Sequence, residues 1–140
     1  QARWPGRLEL VRRAPDVIID GGHNPQCVDA LSAALRKLYP NQKLIFLAGV
    51  LADKDWKAMF RRVLPMAKAF VAVTPDSPRA LPAEELAEWL RASSSCPVLV
   101  QDSLDAGVDA ALSMAGPEDV VCAWGSLYSV GEIRHHLGLC

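Results

Sequence analysis

Short runs of Val, Ile, Leu and Ala with almost no polar residue inside them recur along this chain, and stretches of helical length separate them. That pairing constrains the fold more than any other feature. A strand with one wet face alternates apolar and polar residues. Runs such as "VIID", "LIFLAGV", "FVAV" and "VVCAW" do not alternate, so they read as strands covered on both faces. The strand candidates are Leu8–Val11, Asp16–Asp20, Lys43–Val50, Ala69–Pro75, Pro97–Asp102 and Asp119–Gly125.

The intervening stretches carry apolar residues every three or four positions, the period of a helix with one buried stripe. Pro25–Leu38 aligns Val28, Leu31, Leu35 and Leu38. Lys54–Met66 offers Trp56, Met59, Phe60 and Val63, and Ala83–Arg91 offers Leu86, Trp89 and Leu90. Ser103–Met114 and Ser126–Leu137 repeat the pattern. Strand and helix alternate through almost the whole chain, which predicts an α/β, Rossmann-like fold: a mostly parallel sheet of about six strands with helices on both faces. The link from Leu8–Val11 to Asp16–Asp20 is only Arg12–Pro15, too short for a crossover, so one antiparallel edge strand is expected.

At 140 residues, residues 1–140 read as a single domain. The formal net charge is -1 and no Lys/Arg run stands out, so nothing points to nucleic acid. No apolar stretch approaches the roughly 20 residues of a membrane span, and Gln1–Arg13 is too polar for a signal peptide. Cys27, Cys96, Cys122 and Cys140 are far apart, with no C-x-x-C. They read as free thiols in a reducing cytoplasm rather than as disulfides or a metal site. The start at "QARWPGR", with no Met and no evident cap, reads as a fragment of a longer protein.

Ligands of a parallel sheet gather where strands end and loops lead into helices. After the second strand stands "DGGHNP". A plain strand-to-helix turn accounts for Asn24 as cap, Pro25 at the first helical position and glycine in the turn. It leaves Asp20 and His23 unexplained, at a helix start suited to anions or hydroxyls. In "GVLADKDW", Asp53 or Asp55 reads as a helix cap and Lys54 as a solvated charge. In "TPDSPRALPAEEL", three prolines stiffen a loop that carries Arg79, a side chain suited to carboxylate or phosphate. In "WGSLYSVGE", Ser126 is placed to cap the last helix; G-x-S-x-G is absent, so it is not a nucleophile elbow. Neither G-x-x-x-x-G-K-[ST] nor G-x-G-x-x-G occurs.

Five segments in order, "WPGRLEL", "VIIDGGHNP", "LAGVLADKD", "TPDSPRALPAEEL" and "WGSLYSVGEIR", resemble the C-terminal domain of folylpolyglutamate synthase / dihydrofolate synthase, within the Mur ligase superfamily. The similarity runs from about Arg3 to the last helix. The family's usual first motif is D-G-A-H-N-P; Gly22 replaces its alanine, one small residue for another.

The resemblance implies an ATP-dependent ligase that adds L-glutamate to folate or dihydropteroate through an acyl phosphate, with Mg2+ and ATP held mainly by an N-terminal P-loop domain. This chain then corresponds to the lobe that closes over that domain. By the same resemblance, Arg7 and Asp20 meet ATP, His23 serves the glutamate or the reacting groups, and Ser126 belongs to the glutamate pocket. Arg79 stands where the peptidoglycan ligases of the superfamily carry D-N-P-R and would read the amino acid's carboxylate. Two other readings are a peptidoglycan Mur ligase lobe, disfavoured by "GGHNP" and "GSLY", and a non-catalytic α/β binding module.

Overall fold

The structure, a computed structural model, describes residues 2–3 as backbone and residues 8–21, 24–125 and 135–138 in full. Seven strands form one sheet: β1 (Ala2–Arg3), β2 (Glu9–Arg12), β3 (Asp16–Asp20), β4 (Leu44–Gly49), β5 (Ala67–Val73), β6 (Val98–Gln101) and β7 (Val120–Gly125). Among the described residues four α-helices connect them: α1 (Pro25–Leu38), α2 (Trp56–Arg61), α3 (Ala83–Ser93) and α4 (Leu104–Met114). The sheet order is β1-β2-β3-β7-β4-β5-β6.

The α/β expectation is borne out. Strands β3, β7, β4, β5 and β6 run parallel. The short link between β2 and β3 does produce an antiparallel pair, and the two-residue β1 adds a second antiparallel strand outside it.

Helix placement follows from right-handed crossovers. Steps β3 to β4, β4 to β5 and β5 to β6 all move one way across the sheet, and their helices share a face. There Val28, Leu31 and Leu35 of α1, Met59 and Phe60 of α2, and Leu86 and Leu90 of α3 pack on Ile18, Phe46, Phe70, Cys122 and Trp124. The step from β6 to β7 runs back, so α4 covers the opposite face, with Val108 and Ala111 against Val17, Ile19, Ile45, Leu47, Val71 and Val121. The first face is aromatic at its centre. Phe60 lies 6.0 Å from Phe70 and 4.7 Å from Trp124 between ring centroids, contacts worth about 0.5–1.5 kcal/mol each beyond the area buried. On the second face α4 approaches the sheet at Gly107, where a Cβ would come within 2.7 Å of Val73 Cγ1 and 2.8 Å of Leu47 Cδ1.

One element departs from the sequence expectation. The helix expected over Lys54–Met66 ends at Arg61, and Leu64–Met66 forms a separate 3-10 turn. Pro65 is the cause: it has no N–H for the helical ladder, and its ring would strike the carbonyl one turn earlier. The expected helix over Ser126–Leu137 falls mostly on residues outside those described; His135 and His136 are helical, and Leu137 packs on the α4 face.

Polar clasps hold the amino edge of the sheet. Lys68 Nζ donates to Asp119 Oδ1 at 2.6 Å, and the Gly116 N–H donates to Asp119 Oδ2 at 2.8 Å. The Lys68 bond first, then the backbone bond, hold the Asp119 carboxyl below its ordinary pKa despite some burial. Tyr39 Oη donates to Asp16 Oδ2 at 2.8 Å. Burial, then this carboxylate, push the Tyr39 phenol above its ordinary value. Cys122 is a buried free thiol, while Cys27 and Cys96 are free and half-buried. Among the described residues no helix is long and apolar enough to cross a membrane.

Candidate functional site at the carboxyl edge of the sheet

The parallel strands end together, and their last residues are set by register. Asp20 closes β3 opposite Trp124 of β7, Trp124 stands opposite Ala48 of β4, and Gly125 stands opposite Gly49. Because side chains alternate along a strand, Asp20, Trp124 and Ala48 share the face that α1, α2 and α3 cover. Asp20 is only 4% exposed. Its charge reaches inward: burial first, and then Asp20, raise the Cys122 thiol well above its ordinary pKa. Trp124 is fully buried, and among the described residues its indole N–H has no hydrogen-bond partner.

Helix α1 begins directly after the Asp20 loop, as the motif implied. The Asn24 side chain accepts from the Cys27 N–H at 2.8 Å and Pro25 takes the first helical position. The positive end of the α1 macrodipole therefore faces the loop that follows Asp20. Glycine at 21 is not forced by the turn. A Cβ there would meet nothing within 4 Å, and the backbone is not left-handed.

Arg79 enters from the loop between β5 and α3. The Ser77 hydroxyl accepts from the Arg79 N–H at 3.2 Å, and the Ala80 N–H donates to the Ser77 carbonyl at 3.1 Å. Thr74 Oγ1 accepts from the Ala83 N–H at 2.9 Å and so caps α3 where Pro82 cannot. The loop is also paired to the one after β4. Leu51 and Ala80 form an antiparallel bridge. The Ala52 N–H donates to the Arg79 carbonyl at 2.8 Å, and the Leu81 N–H donates to the Val50 carbonyl at 2.9 Å.

Sequence reasoning missed the partner of Arg79. Of the two aspartates read as alternative helix caps, Asp53 instead accepts from Arg79 Nη1 at 2.9 Å. Asp55 holds the N-cap position of α2 but makes no side-chain cap bond. No local signal could have revealed the pair, because loop-to-loop pairing creates it.

Asp20 and the Arg79 loop thus stand on the same edge, following strands three places apart in the order β3-β7-β4-β5. Arg7, His23 and Ser126 lie outside the described residues. The edge offers a buried carboxylate, a helix amino end and a guanidinium in one row. Such a row can hold hydroxyl, anionic and carboxylate groups of an extended ligand.

Comparison with known proteins gives concordant matches. A family model described as "Mur ligase, glutamate ligase domain" matches residues 6–127. The dihydrofolate synthase/folylpolyglutamate synthase of Bacillus subtilis is 32% identical over 137 residues, covering 98% of this chain and 31% of that protein. Among solved structures, Escherichia coli FolC in complex with DHPP and ADP superimposes with a TM-score of 0.84 at 28% identity, over 96% of this chain and 31% of that one. The bifunctional folylpolyglutamate synthase/dihydrofolate synthase of Yersinia pestis complexed with AMPPNP and Mn ion gives a TM-score of 0.82 at 26% identity, over 99% of this chain and 32% of that one. The chain spans about a third of the length of each of these relatives.

Proposed function

Since this chain belongs to the Mur ligase family through its glutamate ligase domain, we propose that residues 1–140 are the C-terminal lobe of an ATP-dependent ligase that adds L-glutamate to folate or dihydropteroate. The observation that carries the reading is the carboxyl edge itself. Buried Asp20 beside the α1 amino end, and Arg79 on a loop fixed by backbone pairing, stand at the same edge of the sheet.

In this reading ATP supplies the phosphoryl group that activates the acceptor carboxylate as an acyl phosphate, which the glutamate amine then attacks. Asp20 and Arg7 hold the nucleotide, with the Asp20 carboxylate suited to accept from a ribose hydroxyl. Arg79 pairs with the glutamate carboxylate, and His23 and Ser126 orient the reacting amine and its neighbours. The contribution of the lobe is positioning and charge stabilisation. In the same reading magnesium and the phosphates are held mainly by an N-terminal P-loop domain, onto which this lobe closes in the cytoplasm.

The test is made in the ligase that carries this domain. ADP release should require ATP, Mg2+, L-glutamate and either dihydropteroate or a folate. His23→Ala should lower turnover by about 10²–10⁴-fold with an unchanged melting profile. Activity with a UDP-sugar peptide acceptor instead of a pterin would overturn the folate assignment. Near-normal turnover of His23→Ala would remove that residue from the site.

A further inference from the structure

We propose that Asp53 is a positioning residue, one that fixes the orientation in which the Arg79 guanidinium meets the carboxylate of the incoming amino acid. The inference rests on the reading of Arg79 given above.

The backbone of Arg79 is already held from the β4 side, since its carbonyl accepts from the Ala52 N–H at 2.8 Å. The next residue in that loop, Asp53, takes one donor of the guanidinium, at Nη1, 2.9 Å away. A guanidinium carries five N–H donors in a planar fork. Among the described residues its other nitrogens have no hydrogen-bond partner, so the fork keeps donors open for a second carboxylate.

The Arg79 and Asp53 side chains are 61% and 51% exposed. An ion pair so open to water contributes little to folding. Its effect is on conformation. An unanchored arginine spreads over many rotamers and must lose them on binding, whereas an anchored fork has lost them beforehand. Asp53 therefore acts through Arg79 without touching the ligand.

Steady-state kinetics of the ligase carrying this domain, with L-glutamate varied, test the proposal in Arg79→Ala, Asp53→Asn, Asp53→Glu and the Arg79→Ala/Asp53→Asn double variant. Asp53→Asn should raise KM for glutamate about two- to fivefold, the range open to an exposed pair, and leave kcat, KM for ATP and the melting temperature unchanged. Asp53→Glu should recover part of the loss. The double variant should match Arg79→Ala alone, as expected when one residue works through the other. If Arg79→Ala raises KM while Asp53→Asn matches the unmodified enzyme, Asp53 has no positioning role. If Arg79→Ala itself leaves KM unchanged, Arg79 does not read glutamate and both readings fall together.

Discussion

Gly125 and Gly49 meet where β7 and β4 end, and only glycine fits at 125. Gly125 has φ +106, and a Cβ there would run into the Gly49 carbonyl oxygen. That atom is backbone in a central strand and cannot swing aside. Gly125→Ala therefore combines left-handed strain with a backbone clash, on the order of 2–5 kcal/mol. Urea unfolding should show a large fall in midpoint, with the slope retained.

Gly107 poses a closer contest. Alanine is worth about 1 kcal/mol over glycine inside a helix. Against this, the new methyl would press on Val73 Cγ1 and Leu47 Cδ1, at 2.7 and 2.8 Å. Overpacking of a tight core costs about 1–3 kcal/mol, so Gly107→Ala should be net destabilising. In Gly107→Ala/Val73→Ala the loss should be smaller than the sum of the single changes, because one relieves the other. Denaturant titration of the three variants decides the sign.

Asp119 gives the fold an acid-sensitive clasp. Its carboxyl is held below the ordinary range by Lys68 and the Gly116 N–H. The stabilisation is therefore complete above the ordinary carboxylate pKa and is lost as pH falls through the lowered one. Asp119→Asn should be about 1 kcal/mol less stable at neutral pH. The gap should close as pH drops below the carboxylate range. Unfolding midpoints measured from neutral to acidic pH check both statements.

Asn24 is the sole side-chain cap seen on α1 among the described residues. Asn24→Ala should cost about 1 kcal/mol and Asn24→Ser much less, since serine also caps well. Thermal unfolding of the pair separates loss of the cap from a general disturbance of the loop.

Much of the fold was legible because burial on both faces suppresses alternation, so "KLIFLAGV" and "DVVCAWG" announced interior strands. The antiparallel turn could be read from the length of Arg12–Pro15. The break in the second helix was legible too, in Pro65, but the apolar spacing of Trp56, Met59, Phe60 and Val63 masked it. Strand order was beyond an alternation pattern, which does not say that β7 lies between β3 and β4. At the site, Asp20 stood out because a charge ending an apolar run has a desolvation cost that a plain turn does not need. Asp53 did not, because its contact with Arg79 spans 26 positions and arises from two loops pairing. The demand for glycine at 125 was hidden for the same reason, being set across strands rather than along the chain.

The central place of β7 has a consequence for synthesis. Strands β3 and β4 do not pair with each other; each pairs with β7, the last strand described. As the chain leaves the ribosome, residues 16–20 and 44–49 emerge with apolar strand edges facing an empty slot, and the slot fills only when residues 120–125 arrive. A nascent chain stopped short of residue 120 therefore carries two open parallel edges, the kind of exposure that recruits chaperones or seeds aggregation.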